Sequence, residues 1–274
     1  MRPPLSGFLA AASVVGALGP GAAGPERPPA PSPLVDLRQV RVVDLSHSFD
    51  ARTLYWPNSP SGFQLQPIHR GRTEAGFFYA ANSFCAPEHG GTHLDAPIHF
   101  AETGRTADEI PLRQLIGPGC VIDVSRQAAS DADYRLRRED VEEWEARNGP
   151  LPQGAIVLLR TGWASRWPDR KRYFGDDTPG DVAHLHFPSY GKEAAELLVN
   201  RRQVAALGVD TASIDHGPSR DFVVHQVAAA ANVPGLENLA RLEELPERGS
   251  WVVALPMKIG GGTGGPLRAV ALVP

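Results

Sequence analysis

The chain has 274 residues, of which 42% are hydrophobic and 21% are charged, and its formal net charge is −4. These values are typical of a soluble globular protein whose apolar residues suffice to bury a core without a structural metal ion. The net negative charge argues against nucleic acid or an anionic membrane as a partner. The length fits one α/β domain of ordinary size once a short N-terminal segment is set aside.

Residues 1–24 resemble a secretory signal peptide. Arg2 precedes an apolar run at 8–18, and small residues follow it. The run is shorter than the roughly 20 residues that a bilayer-spanning helix needs. Residues 25–34 form a Pro-rich linker, so we expect the folded domain at 35–274. We predict export to the periplasm or the extracellular space, and a cytoplasmic protein with a disordered N-terminal extension is the alternative.

From residue 35 onward, short apolar runs rich in β-branched residues alternate with single helical patterns. We predict strands at 40–45, 76–84, 120–124, 155–160, 204–209, 251–255 and 267–273, and helices at 139–147, 189–199 and 222–231. Because these elements lack the regular repeat of a doubly wound sheet, they indicate a single mixed α/β domain. Cys85 and Cys120 are too few for a disulfide framework, and the sequence leaves open whether they pair.

A cluster of histidines follows the second predicted strand. Three histidines and one aspartate lie within the eleven residues from His89 to His99. His93 and Asp95 are two residues apart, so on an extended strand they point to the same side, and the glycines after His89 permit a tight turn onto that side. Imidazole and carboxylate groups suit zinc or manganese, and three ligands from one segment leave positions open, as in catalytic sites. The alternative is chance clustering of unrelated histidines.

The segment 89–99 reads His-x-Gly-Thr-His-x-Asp-x-Pro-x-His, which resembles the signature of the cyclase-like metal-dependent hydrolases. Bacterial kynurenine formamidase and isatin hydrolase belong to this family. The likeness extends from about Val43 to Val273. Residues 208–215 look like the family's Gly-Ile-Asp-Thr-x-Ser-x-Asp segment, and residues 255–258 look like its Leu-Pro-x-Lys strand. The resemblance implies an α/β domain of the swivelling β/β/α type and a homodimer.

The resemblance also implies a set of metal ligands. His89, His93 and Asp95 would hold one ion, and Asp95, His225 and Glu237 would hold a second, with Asp95 bridging. The ions would be zinc or manganese, one or two per chain. Without the family, His225 is more simply an ordinary helix histidine and Glu237 a surface acid.

The activity implied by the resemblance is hydrolysis of a carbon–nitrogen bond in a small aromatic amide. His99 would donate and accept protons, and Trp56 would pack on the substrate ring. The leading expectation is an arylformamidase that converts N-formylkynurenine to kynurenine and formate. Opening of isatin or another cyclic amide is the alternative within this class. The alternative from another class is a non-catalytic secreted binding protein with the same fold, although all the candidate residues are present.

Other motifs carry weaker signals. Residues 260–265 match Gly-x-Gly-x-x-Gly, but Pro266 and a β-prone run follow instead of a helix. A dinucleotide site needs that helix, so we interpret this stretch as a turn near the mouth of the active site. The sequence contains neither a Gly-x-Ser-x-Gly elbow nor a His-Glu-x-x-His helix, which argues against a serine hydrolase or a zincin protease.

Overall fold

The computed structural model of the chain describes residues 38–274, so the predicted signal peptide at 1–24 and the linker at 25–34 lie outside the described residues. The strands are β1 (Arg41–Asp44), β2 (Gln64–Arg72), β3 (Phe78–Cys85), β4 (His93–Asp95), β5 (Ile116–Asp123), β6 (Arg135–Leu136), β7 (Ile156–Arg160), β8 (Ser189–Tyr190), β9 (Ala206–Val209), β10 (Gly235–Glu237), β11 (Arg248–Pro256) and β12 (Gly264–Val273). The α-helices are α1 (Leu112–Leu115), α2 (Ser125–Ser130), α3 (Arg138–Asn148), α4 (Arg170–Phe174), α5 (Lys192–Glu196) and α6 (Val223–Ala230). Short 3-10 turns lie at Pro97–His99, Ala107–Glu109, Trp163–Arg166 and Leu242–Glu244, and a π-helical turn lies at Leu197–Arg201.

One large sheet organises these elements. Its strand order is β1-β12-β11-β5-β7-β9-β10-β4, and β5, β7, β9 and β10 run parallel to one another. The first residues of β12, 264–266, also pair with β4, which closes the sheet into a barrel. The fold is therefore a single mixed α/β domain with a closed sheet, as the sequence predicts.

The parallel strands separate two apolar cores. In β7, Val157 and Leu159 pack in the core shared with the helices, which includes the fully buried Trp144 of α3. Ile156 and Leu158 alternate with them and pack in the second core, on the opposite face of the sheet. Because both faces of β7 are buried, its sequence is a continuous apolar run rather than an alternating one.

Two secondary-structure expectations differ from the structure. The sequence analysis does not predict β2, because its Pro67, Gly71 and polar residues have low β propensity. It pairs with β3 in a separate two-stranded sheet. The helix predicted at 189–199 is wrong at its start, where Ser189–Tyr190 pairs with β6. The Tyr190 hydroxyl donates a hydrogen bond to the Gly208 carbonyl at 2.7 Å, so tertiary contacts fix this segment as a strand.

Two further points follow from the described part of the chain. Within residues 38–274, none of the helices has the length and apolar character needed to cross a membrane. Cys85 is exposed, Cys120 is buried, and both are free thiols. The pairing that the sequence left open is therefore absent between these two residues.

Candidate active site

Strands β4 and β10 bring the first candidate ligands together. His93 and Asp95 lie two residues apart on β4, and both are buried, as expected for side chains on one face of a strand. Glu237 of β10 is the cross-strand partner of His93, which places its carboxylate beside the same two side chains. Strand pairing thus joins residues that are far apart in the sequence.

His225 of α6 completes a group of four buried side chains, which we name the ligand cluster: His93, Asp95, His225 and Glu237. His225 Nε2 lies 3.1 Å from Asp95 Oδ2 and 3.2 Å from Glu237 Oε1. His93 Nε2 lies 3.1 Å from Asp95 Oδ1 and 3.5 Å from Glu237 Oε2. Each of the four residues is at most 6% exposed. Charged groups this close and this buried require shared protons or a bound cation.

The geometry of the ligand cluster fits a divalent cation. Zinc ligands lie about 2.0–2.2 Å from the metal, so two ligand atoms of a tetrahedral site are about 3.3–3.6 Å apart. His93 Nε2 lies 3.1 Å from one oxygen of Asp95 and 3.5 Å from one oxygen of Glu237, which is close to this range, and these three residues offer ligand atoms within 4.8 Å of one another. Two imidazoles and two carboxylates also form a donor set that zinc or manganese accepts. A second group of candidate ligand atoms comprises His89, Asp95 and His99.

Hydrogen bonds at the outer nitrogen orient both histidines of the ligand cluster. His93 Nδ1 lies 3.0 Å from the Gly91 carbonyl oxygen, and His225 Nδ1 lies 2.7 Å from Asp215 Oδ2. Asp215 also accepts hydrogen bonds from the backbone N–H groups of Val224 and His225, both at 3.0 Å. In each ring Nε2 is therefore the nitrogen that faces the cluster, and Asp215 fixes both the ring of His225 and the start of its helix.

His89 lies at the rim of the ligand cluster. Its Nδ1 is 2.6 Å from Asp95 Oδ1, and its Nε2 is 2.8 Å from the Thr263 hydroxyl. Thr263 donates a hydrogen bond from its backbone N–H to the Glu88 carboxylate at 3.0 Å. A side chain on Gly264 would bring its Cβ within 2.7 Å of the His89 ring, so this close approach requires glycine. The Gly-rich stretch before β12 therefore supports His89, which agrees with its interpretation as a turn near the site.

Burial and neighbouring charges shift the pKa values of the ligand cluster. Burial opposes ionisation of Asp95, yet the adjacent His93 and His89 hold its pKa well below the ordinary value. Burial and then the charge of Asp95 raise the pKa of Glu237. Burial alone would lower the pKa of His93, but Asp95 raises it to about 9. Protons on the imidazoles thus balance the carboxylates, and binding of a cation would release them.

His99 follows β4 on the turn that begins at Pro97. Its ring stacks on the ring of His89 with centroids 3.8 Å apart and an interplanar angle of 16°. The side chain is exposed, yet the protein atoms around the ring lower its pKa to about 4, against the opposing charge of Asp95. His99 is therefore neutral at pH 7 and has a nitrogen lone pair that can accept a proton.

A cavity of about 230 Å³ lies beside the ligand cluster. Its apolar walls are the aromatic rings of Trp56, Phe100, Phe174 and Phe222. The ring centroid of Phe222 lies 6.2 Å from that of Trp56 and 5.5 Å from that of Phe100. Phe222 has a φ of 49°, a strained conformation for an aromatic residue, at the residue that precedes α6. An apolar slot with these aromatic walls, beside a polar cluster, suits a small aromatic ligand.

This one cavity is lined by all seven site residues predicted from the sequence: Trp56, His89, His93, Asp95, His99, His225 and Glu237. Their assignment to metal binding, proton transfer and substrate stacking remains a prediction. The roles of Asp215, Thr263 and Phe222 are not predicted from the sequence. Asp215 is the last residue of the quoted segment 208–215, and Thr263 lies in the Gly-rich stretch. Sequence motifs therefore include both residues, whereas no motif includes Phe222.

The chain is similar to known proteins in both sequence and fold. The Cyclase family model matches residues 43–216. Isatin hydrolase of Roseibium aggregatum is 36% identical over 208 residues, which cover 73% of this chain and 77% of that protein. Kynurenine formamidase of Salinibacter ruber is 27% identical over 231 residues, which cover 84% and 96%. Among solved structures, isatin hydrolase A of Ralstonia solanacearum matches with a TM-score of 0.78 and 34% identity, covering 86% of this chain and 93% of that chain.

The class that the fold and the cavity define is a hydrolase with a buried site suited to a metal ion. The chain belongs to the Cyclase family, and it is a carbon–nitrogen amide hydrolase of that family. The family match includes segment 89–99 but ends before His225 and Glu237, and the structure places His225 in contact with both Asp95 and Glu237.

Proposed function

We propose that the protein hydrolyses the amide bond of a small aromatic substrate whose ring packs against the aromatic walls of this cavity, which include Trp56 and Phe222. The observation that supports this proposal is that one cavity combines an aromatic slot, the neutral His99 and the ligand cluster. A substrate with its ring in the slot has its carbonyl group at the polar end of the cavity. The reactive bond and the groups that can act on it are then close together.

The chain supplies the proton transfers that amide hydrolysis needs. A divalent ion held by the ligand cluster supplies Lewis-acid polarisation of the carbonyl and makes water more acidic. His99 accepts a proton from water as the water oxygen bonds to the carbonyl carbon. As the carbon–nitrogen bond breaks, His99 returns this proton to the leaving nitrogen. Water is the only second reactant, and the products are a carboxylic acid and an amine; the acid then ionises to the carboxylate and releases the second proton of the water to solvent.

Ring opening of isatin or a related lactam is our first candidate reaction. The relatives named isatin hydrolase support it, since one is 36% identical to this chain, whereas the kynurenine formamidases are 26% to 32% identical. The nitrogen that leaves in such a lactam is attached to the aromatic ring, so it needs less protonation than an alkyl amine. The aromatic walls of the cavity offer apolar ring faces on which a fused ring can pack.

Hydrolysis of N-formylkynurenine, the arylformamidase reaction that the resemblance implied first, is the second candidate. The presence of His225 and Glu237 favours this reaction, because the resemblance assigns this pair to a second metal ion in the formamidases. His225 Nε2 lies 3.2 Å from Glu237 Oε1 and 3.1 Å from Asp95 Oδ2, so the pair is in place beside the proposed bridging residue. The leaving nitrogen is again attached to an aromatic ring.

Both substrates should be assayed side by side by absorbance, with protein loaded with zinc or manganese. We expect turnover of at least one substrate, and a rate about 10²–10⁴-fold lower for His99→Ala with the metal content unchanged. His93→Ala is the control for the site and should lose bound metal. Full metal occupancy with no turnover of either substrate would contradict the substrate assignment, and equal metal content of wild type and His93→Ala would contradict the ligand cluster.

We also propose that the protein is exported, on the basis of the segment 1–24 and its resemblance to a signal peptide. Fractionation of the native cells and N-terminal sequencing of the purified protein test this proposal. We expect a mature N-terminus near residue 25 outside the cytoplasm. An intact Met1 on cytoplasmic protein would contradict it.

A further inference from the structure

Glu88 and His89 are neighbours in the sequence, and both contact the side chain of Thr263. Glu88 Oε2 accepts a hydrogen bond from the Thr263 backbone N–H at 3.0 Å and a second one from its hydroxyl at 2.5 Å. His89 Nε2 lies 2.8 Å from the same hydroxyl oxygen. A continuous series of hydrogen bonds therefore runs from Glu88 through Thr263 to the imidazole of His89. The other ring nitrogen, His89 Nδ1, lies 2.6 Å from Asp95 Oδ1.

Backbone pairing fixes Thr263 in this position. Gly264, the next residue, is the register partner of Asp95 where β12 pairs with β4. The Thr263 carbonyl oxygen also accepts a hydrogen bond from the Ala96 backbone N–H at 2.9 Å. Closure of the barrel therefore holds the Thr263 hydroxyl beside His89 Nε2.

The direction of each hydrogen bond follows from the chemistry of the three groups. An ionised carboxylate only accepts hydrogen bonds, so the single proton of the Thr263 hydroxyl points to Glu88. The hydroxyl oxygen then has only lone pairs to offer to His89, so Nε2 carries the proton of this contact. A neutral imidazole has one N–H group, which leaves the lone pair on Nδ1, the nitrogen that faces Asp95.

We propose that Glu88, acting through Thr263, positions His89 with Nδ1 as its metal-binding nitrogen. This proposal rests on the proposed function in one respect, that a divalent ion binds at the site, and it is independent of the substrate. A metal-binding histidine commonly donates its other N–H to a fixed acceptor, which sets the tautomer and the orientation of the ring. His93 and His225 have such partners at Nδ1 and face the ligand cluster through Nε2, whereas His89 has the opposite arrangement.

The position of His89 also affects His99. The two rings stack with centroids 3.8 Å apart, so a rotation of His89 would change the surface on which His99 packs. Among the residues that the structure describes, those lining the cavity include His89 and His99 but not Glu88. Glu88 is therefore a positioning residue, which acts on the site through Thr263 and His89.

The test is the zinc affinity of the full-length protein, measured by competition with a chelator. Glu88→Ala removes the acceptor, so the Thr263 hydroxyl can donate to His89 Nε2 and favour the tautomer with its proton on Nδ1. We expect zinc affinity to fall about tenfold, as for the loss of other outer partners of metal ligands. Glu88→Gln keeps an oxygen that can accept both hydrogen bonds of Thr263, so it should bind zinc nearly as wild type does.

Asp108→Ala is the matched control for the Gly-rich stretch. Asp108 Oδ1 accepts a hydrogen bond from the Gly261 backbone N–H at 3.0 Å, so it anchors the same stretch two residues before Thr263. We expect unchanged zinc affinity in this variant. Equal losses in Asp108→Ala and Glu88→Ala would overturn the proposal in favour of loop anchoring. Equal losses in Glu88→Gln and Glu88→Ala would overturn it in favour of a simple effect of charge.

Two further measurements follow the connection from Glu88 to His89. In the Thr263→Val background, Glu88→Ala should have no further effect on zinc affinity, because the hydroxyl that joins the two groups is gone. NMR spectra of the zinc-bound protein with isotope-labelled histidine show which nitrogen of His89 carries the proton, and we expect Nε2 in wild type and in Glu88→Gln. Additive losses, or a proton on Nδ1 in wild type, would overturn the proposal.

The wild-type measurement separates this proposal from the proposed function. A wild type that binds no zinc would overturn both the ligand cluster and the role of Glu88. A wild type that binds zinc, with unchanged affinity in folded Glu88→Ala, would overturn the role of Glu88 alone.

Discussion

Replacing Asp215 with Asn tests whether this buried carboxylate positions a metal ligand. Asp215 Oδ2 lies 2.7 Å from His225 Nδ1, and its two oxygens accept hydrogen bonds from two backbone N–H groups. Asn has a single acceptor oxygen, so its amide group must face at least one of these donors. A hydrogen bond to a charged group contributes about 1.5–3 kcal/mol, and loss of such an outer partner lowers metal affinity by about 10- to 100-fold. These two estimates agree, since tenfold corresponds to about 1.4 kcal/mol.

The assay is competition for zinc between the protein and a chelator, with the thermal midpoint measured on the same samples. Asp140→Asn is the matched control, because Asp140 is also buried and accepts a backbone hydrogen bond at a helix start, from Arg137 N–H at 2.8 Å. We expect both variants to lose stability and only Asp215→Asn to lose zinc affinity. Unchanged zinc affinity in a folded Asp215→Asn would refute the positioning role of Asp215.

Three further changes test other parts of the site and the fold. Thr263→Val removes the hydroxyl beside His89 and should weaken zinc binding several-fold. Thr263→Ser keeps the hydroxyl and should bind zinc as wild type does. An equal loss of zinc affinity in both variants would show that the loop, not the hydroxyl, is responsible. Trp56→Leu removes a ring face, so it should raise KM for an aromatic amide about tenfold with a smaller change in kcat. An unchanged KM would contradict contact between the substrate ring and Trp56. Burial lowers the pKa of His47 to about 4, so the His47 imidazole binds a proton more readily in the unfolded chain than in the folded protein. Wild type should therefore lose roughly 2–3 kcal/mol of stability as the pH falls from 6.5 to 4. His47→Phe keeps a ring against Trp167 and should lose less of its free energy of unfolding over this pH range, measured by urea unfolding. An identical pH dependence in wild type and His47→Phe would refute the assignment of this loss to His47.

The sequence determines those features of this protein that depend on residues close together in the chain. The segment 89–99 contains its ligands, glycines and proline within one stretch, and β4 places His93 and Asp95 on one side as alternation requires. The buried strand β7 is predictable because it is continuously apolar, and α3 and α6 because their spacing is helical. These are local consequences of side-chain pattern and backbone geometry.

Only the tertiary structure decides which distant groups complete the site. The pairing of β4 with β10 places Glu237 opposite His93, and the helix that follows Phe222 turns His225 towards Asp95, although no local pattern links these residues. Asp215 and Thr263 support the histidines through hydrogen bonds across many residues of sequence. Strand β2 is not predicted from the sequence because it contains Pro67 and Gly71, and among the described residues it pairs only with β3, outside the main sheet. Strand register and long-range packing, which a local sequence pattern does not encode, therefore determine these features.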